Sequence, residues 1–471
     1  MKNNLSFMII IAVVAMFSSC KKFLDLKPED QLLEEQVFSS KQNIDAAMNG
    51  LYVRISANNL YGETLTLTVP EVMAQRFNVN PQHDMARYAT HAYTDGVVAN
   101  RMANIWSSAY SVVLGVNVFM DRLNQSPGLL STKADSLYRG EALAMRAMLH
   151  FDMLRLFGPM YLSADSTAKS IPYCKQSDVS VQPFLAANEV MSHIAGDLRA
   201  AELLLENDKA MEAGRKYKFN YYAVKALQAR VNLYRGNKPE ALEAAKVIID
   251  NDSKFPWSSP SNILVERINP DLIFSSEIIL GVYNSELYER FQKLFSGDLA
   301  DRNILAPLEA RLISTFESNT SDLRGHGPNQ LWRRPGTKSY MTFFKHVDID
   351  DKGRAYRNTI ALLRKSEMYY IAAECEPDKV KGIEYLSTVR LNRNIAALAP
   401  TLTDAQFKTE IQKEYVKEFF GEGQLFFYFK RNNVTSIPAG TVAIGNTSMT
   451  PVKYIVPIPQ AEISNRNESD K

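Results

Sequence analysis

Cysteine is scarce in this 471-residue chain, with three residues, Cys20, Cys174 and Cys375. Three thiols cannot build the multi-bridge framework that stabilises small secreted scaffolds. Charge of one sign is also missing. Lys plus Arg number 54 against 52 Asp plus Glu, and no basic run or stripe is present of the kind that nucleic-acid phosphates demand. No partner of that class is expected. After residue 19 no stretch approaches the roughly 18 consecutive apolar residues of a membrane-spanning helix. The six histidines, His83, His91, His150, His193, His326 and His346, form no HxH, HExxH or Cys/His cluster, so zinc ligation has no support. Residues 348–353 open like a calcium loop, but Thr359 stands where the bidentate Glu belongs. The sequence contains no Gly-x-Ser-x-Gly elbow, no P-loop and no Gly-x-Gly-x-x-Gly, and Gly421-Glu422-Gly423 has the wrong neighbours for a phosphate cradle. No cofactor and no metal are expected. A glycosidase needs two carboxylates, a condition that 52 acidic residues meet trivially and that therefore discriminates nothing.

What is present begins with a leader. Lys2 precedes an apolar run over residues 7–17, followed by Ser18, Ser19 and Cys20. That run is too short to span a bilayer and has the length of a signal-peptide core. Phe17-Ser18-Ser19-Cys20 resembles a bacterial lipobox. The pattern predicts a signal peptide at 1–19 and a mature chain that starts at a lipidated Cys20. More than one acyl chain would then hold it to a membrane. Residues 20–40 read as a tether and 41–471 as a single domain. Cys174 and Cys375 read as small buried thiols, although spacing alone does not show whether they pair.

Within that domain helical periodicity dominates. Ile44, Met48, Leu51 and Ile55 recur at three-to-four spacing, and Ile105, Tyr110, Val113, Val116 and Met120 do so over residues 104–123. A helix from Leu137 should stop at Gly158-Pro159, and one from Val190 to Leu205 should be capped by Asn188. Residues 220–250 read as a helix pair punctuated by Gly236 and Pro239, with Ala229 and Ala241 at the close contact. The segment resembles a tetratricopeptide pair. A second pair is expected at 365–375 and 379–390, and a last helix at 404–420. The fold class expected is all-α: tetratricopeptide-like helix pairs forming a scaffold.

Residues 56–103 and 252–360 differ. They are rich in Pro, Gly, Asn and aromatics and weak in periodicity, as functional surface loops are. The chain carries 22 Tyr, 23 Phe and 3 Trp. Flat sugar faces pack on aromatic rings, and polar rims then supply hydrogen bonds. Trp257 and Trp332 in one loop region and Tyr88 and Tyr93 in the other are the candidate ligand-binding rings, with Arg333 beside Trp332. Trp332→Ala is expected to weaken binding without changing the melting temperature, equal loss of both marking the ring as core. Trp106 stands four residues before Tyr110 on a helix, a core spacing.

Short motifs also run in a fixed order along the chain. Cys20-Lys21-Lys22-Phe23-Leu24-Asp25 opens the set, and Trp106-x-x-x-Tyr110 with Asn117 falls on an early helix. Arg146-Ala147, Phe151, Gly158 and Pro159 follow, then Asp197-Leu198 and Ala229-Arg230-Val231. Glu277-Ile278-Ile279 and Asp322-Leu323-Arg324 lie in the middle region. Ser366-Glu367-Met368-Tyr369 with Ala372-Ala373-Glu374 is the most diagnostic run, and Glu414, Glu418, Glu422-Gly423 and Pro457-Ile458-Pro459 close the set. This ordered set resembles the SusD/RagB family of Bacteroidetes outer-membrane lipoproteins. It departs from the family at Tyr415, which replaces an arginine, and at a later arginine position that is Leu425 or is shifted to Lys430-Arg431. The resemblance implies a lipid-anchored protein on the extracellular face of the outer membrane. It implies capture of oligosaccharides or peptides for a TonB-dependent SusC-like barrel, with no bond cleaved. Arg146, Glu367 and Glu374 are then scaffold ion-pair residues rather than catalytic ones. Two other readings are a tetratricopeptide-like interaction scaffold without a small ligand and a surface glycosidase.

Overall fold

The computed structural model describes residues 38–162, 165–211, 214–266 and 268–466. The leader, Cys20 and most of the tether lie outside the described residues.

Helix α1 (Lys41–Ile55) starts where the Ser40 hydroxyl accepts from Asn43 N–H, and it buries the apolar stripe Ile44, Met48, Leu51 and Ile55. Helix α2 (Gly96–Gln125) begins earlier than the periodicity of 104–123 suggested, because the Asp95 carboxylate accepts from Val97 N–H and Val98 and Met102 extend the buried stripe. The first loop excursion is correspondingly shorter. Helix α3 (Thr132–Phe157) is buried on all sides from Gly140 onward and forms the axis of the core. It ends at Gly158 as expected, and packs on α2 and on α4 (Ala187–Leu204). The start of α4 differs from expectation: Asn188 lies inside the helix, and Glu189 reaches back to accept from Ala186 N–H.

Helices α5 (Tyr221–Tyr234) and α6 (Lys238–Ile249) form the expected pair, with Gly236 at φ +83°, a conformation that favours glycine. Ala229 and Ala241 are both fully buried. The loop excursion that follows carries strand β1 (Ile278–Tyr283), helix α7 (Leu287–Leu294), and strands β2 (Trp332–Arg333) and β3 (Thr342–Phe343), which pair antiparallel. It returns through β4 (Thr359–Arg364), antiparallel to β1. Helix α8 (Lys365–Cys375) then pairs with α9 (Lys379–Asn392), and α6 packs on α8, so the two helix pairs stack. Helix α10 (Asp404–Glu418) opens with reciprocal bonds between Thr403 and Gln406. Helix α11 (Leu425–Arg431) and a hairpin of β5 (Ser436–Pro438) and β6 (Asn446–Ser448) follow. Among the described residues no helix is long and apolar enough to cross a membrane.

The fold is thus all-α with small strand additions, and buried ion pairs fasten the loop excursion to it. Arg393 donates to Glu277 at 2.8 and 2.6 Å and to Glu418 at 2.7 Å. Arg364 meets Glu418 at 2.7 Å, and Arg324 meets Asp322 at 2.7 Å, Glu414 at 2.8 Å and Glu418 at 3.0 Å. Burial alone would raise the Glu418 carboxyl, but Arg393, Arg364 and Arg324 together hold it well below its ordinary range. Gly421 and Gly423, both at positive φ, turn their N–H groups onto the Glu71 carboxylate at 3.1 and 2.9 Å. This turn binds an internal anion. The Arg146–Asp197, Arg230–Glu367 and Arg431–Glu374 pairs place all three scaffold residues in structural ion pairs.

Candidate ligand-binding surface

Strand β2 separates two neighbouring residues by the alternation of its pleat. Trp332 points inward and is 0% exposed, packed between Phe343 (centroids 4.7 Å apart) and Phe420 (4.9 Å). A ring with no accessible face cannot receive a sugar, so the expectation for Trp332 is corrected to a core role. Tyr88 and Tyr93 are corrected in the same way: both are buried, and the Tyr93 hydroxyl donates to Lys453 O at 2.6 Å. Trp257 is half-buried, with the Lys365 ammonium 4.2 Å from its ring centre and Tyr369 packed alongside. It sits against α8. Arg333 is half-buried on the outer face of β2.

Arg333 opens a surface that sequence reasoning missed. Its guanidinium lies 5.0 Å from the centre of the half-exposed Phe344 ring. Phe344 packs on Phe291 (6.1 Å), and Phe291 stacks on the half-exposed Tyr288 at 6.1 Å and 14°. Tyr283, at the outer end of β1, is 52% exposed. The edge-on ring of Tyr217 supports it, and its hydroxyl accepts from Asn358 Nδ2 at 2.9 Å. Tyr283 ends β1 and Tyr288 opens α7 after a short turn, which keeps the two rings local to each other. Tyr283, Tyr288 and Phe344 form an aromatic patch, with Arg333, Arg357, Asp348 and Gln292 at its edges. The signal available in sequence was local: Phe343 ends β3 and Phe344 follows it, so the alternation of extended backbone puts one ring in and one out.

The chemistry of the patch suits holding a ligand. Burial would raise the Asp348 carboxyl, but hydrogen bonds from Arg357 at 2.5 Å and Lys352 at 2.7 Å keep it below its ordinary range. It therefore carries no proton to donate near neutral pH. Burial pushes the two thiols up, Cys174 to about 11 and Cys375 to about 12, so neither is an activated nucleophile. They are unpaired.

Concavities are found elsewhere on the molecule. A groove of about 800 Å³ runs between α6 and the end of α8, lined by Leu242, Val247, Cys375 and Pro377 with Lys246 and Asp250. A cleft of about 230 Å³ is lined by Trp106, Tyr110 and Arg466.

Comparison with known proteins gives a consistent result. A family model described as starch-binding and associating with outer membrane, of the SusD-like type, matches residues 22–233, and the SusD family model matches residues 314–469. SusD-like protein P25 of Formosa agariphila is 22% identical over 441 residues, covering 81% of each chain. SusD-like protein P38 of the same organism is 25% identical over 256 residues, 54% of this chain and 46% of that protein. A SusD-like protein of Bacteroides ovatus is 27% identical, and this chain spans 40% of its length. A solved SusD superfamily structure from Bacteroides thetaiotaomicron superposes with a TM-score of 0.71 at 20% identity, covering 90% of this chain and 98% of that one. A laminarin-binding SusD-like protein superposes at 0.65 with 16% identity, covering 90% and 97%.

Proposed function

The chain belongs to the SusD/RagB family, and from that membership we propose that it is a cell-surface lipoprotein that captures oligosaccharides. Cys20 carries the lipid anchor to the outer membrane, and a TonB-dependent SusC-like barrel receives the ligand. The observation that carries the reading is the aromatic patch of Tyr283, Tyr288 and Phe344, set at the end of β1, on α7 and just after β3. Exposed rings with a polar rim give a sugar chain apolar faces to lie on and hydrogen-bonding groups for its hydroxyls. One relative in fold binds laminarin, which supports a glycan as the ligand class. Tethering raises the effective concentration of the binder at its barrel without any new contact. Binding rather than cleavage is the activity.

Purified protein is incubated with a panel of glycans and peptides, and both retention and newly formed reducing ends are measured. Retention of a glycan without products supports the proposal, and loss of retention on replacing Tyr283 and Tyr288 together by Ala places it on the patch. Release of products overturns it in favour of a surface glycosidase. Retention of peptides alone changes the nutrient class. The groove between α6 and α8 favours a second reading, an interaction scaffold. That reading gains if no panel member is retained and a barrel copurifies.

A further inference from the structure

Arg333 stands out among the guanidinium groups at the patch because it lacks a counter-charge. Arg290 is neutralised by Glu286 at 2.8 Å and Glu63 at 3.6 Å, and Arg357 by Asp348 at 2.5 Å. No described carboxylate pairs with Arg333. Its Nε donates to Gln330 O at 2.9 Å and its Nη2 to Asn329 O at 3.1 Å, both backbone carbonyls of its own loop. These two bonds fix the plane of the group while using one of its edges. Nη1 makes no hydrogen bond to the described residues, so the opposite Nη1/Nη2 edge remains as a donor pair. Partial burial lowers the basicity of this group, which reflects a charge removed from water without compensation.

A guanidinium fork held in place and lacking an acid matches the planar, two-oxygen geometry of a carboxylate. It stands 5.0 Å from the Phe344 ring, at the end of the aromatic run through Phe291 to Tyr288. A ligand lying on those rings would bring a ring substituent to the free edge of Arg333. We infer that this surface selects oligosaccharides that carry uronic acids, with the carboxylate of one sugar received by Arg333. The inference rests on the glycan-binding reading above and adds the class of sugar to it. Because the fork is already positioned, little conformational entropy is lost when the carboxylate arrives.

The test uses matched pairs. Oligouronates of several kinds (galacturonate, glucuronate, mannuronate and guluronate chains) are compared by calorimetry with the same chains after chemical reduction of their carboxyls. At least one acidic chain is expected to bind about tenfold or more tightly than its reduced counterpart, the equivalent of about 1.4 kcal/mol. That gap is expected to shrink in Arg333→Gln, to be only partly kept in Arg333→Lys, which retains charge without the fork, and to narrow with added salt. The wild-type comparison needs no variant, so a folding defect in Arg333→Gln does not remove the test. Equal binding of acidic and reduced chains overturns the inference and leaves glycan capture standing. A preference that survives Arg333→Gln, or retention of acidic peptides in place of glycans, also overturns it. Failure of both sets to bind removes the glycan reading itself.

Discussion

Arg230 and Glu367 face each other across 137 positions of sequence, with Nε and Nη2 of the arginine each 2.6 Å from a separate carboxylate oxygen. Arg230 belongs to α5 and Glu367 to α8, so a single bidentate pair joins the first helix pair to the second. Nη2 of Arg230 also donates to Leu362 O at 2.7 Å, tying in strand β4. Both side chains are buried. Burying two charges costs desolvation that their attraction only roughly offsets, and the pair therefore specifies how the helix pairs stack more than it stabilises them.

Removing one member of that pair leaves a buried charge without a partner. Glu367→Gln is expected to lower stability by about 3–5 kcal/mol, measured by urea unfolding. Arg230→Met with Glu367→Leu should cost less than the single change, since no orphaned charge remains. A double variant that is worse than the single would show that the pair is net stabilising.

Glu418 makes the fold acid-sensitive. Its carboxyl is held well below its ordinary value of 4.5 by Arg393, Arg364 and Arg324, against the upward push of burial. A depressed carboxyl contributes stability that is present above its unfolded-state value and is lost as pH falls through its folded-state value. Glu418→Gln should therefore melt well below wild type at pH 7, and the two melting temperatures should converge as pH drops below about 4. A difference that stays constant across that range would contradict the assignment.

Lys430 predicts a change of the same sign in a higher pH window. Its Nζ is fully buried and donates to Arg155 O at 2.7 Å and Gly158 O at 2.8 Å, closing the end of α3. Burial, with the nearby Arg155 charge, brings its pKa from 10.5 to about 7. Between those values the folded state holds fewer protons than the unfolded chain, so stability rises with pH there, by at most about 1.4 kcal/mol per unit. Melting temperatures of wild type and Lys430→Met, compared from pH 7 to pH 9, should move in favour of wild type. A flat difference would mean that Lys430 does not titrate in that window.

Trp332 separates core from surface. With 0% exposure and rings of Phe343 and Phe420 on its flanks, Trp332→Ala should cost about 3–5 kcal/mol of stability. Any change in glycan retention should then follow the loss of fold. A variant that melts like wild type but no longer binds would restore Trp332 to the ligand surface.

The scaffold was readable because its helices bury stripes at helical spacing. Ile44, Met48, Leu51 and Ile55 are all buried on α1, and Gly236 and Pro239 punctuate the α5/α6 pair. The start of α4 was not readable, since Asn188 and Glu189 are both plausible first-turn residues and only the fold decides which reaches the backbone. The rings of the loop regions were harder. Exposure there depends on long-range packing, such as Phe420 meeting Trp332 from 88 positions away, which no local pattern records. Arg333 was readable as a candidate by its position, but its lack of a carboxylate emerges only from the assembled surroundings.

Tyr283 provides the cleanest measurement on the patch itself. Its ring is 52% exposed, and what it touches is peripheral: the edge of Tyr217 and one hydrogen bond from Asn358 Nδ2. Truncating an exposed ring removes little buried surface, so Tyr283→Ala should change unfolding stability by about 1 kcal/mol or less. If a sugar ring lies on that face, the same change should weaken glycan binding roughly tenfold, about 1.4 kcal/mol. Tyr283→Phe keeps the ring and loses the hydroxyl, and should retain most of the affinity if packing, rather than hydrogen bonding, dominates. Binding unchanged in Tyr283→Ala would move the ligand off the end of β1 and leave the Phe344 side of the patch to account for it.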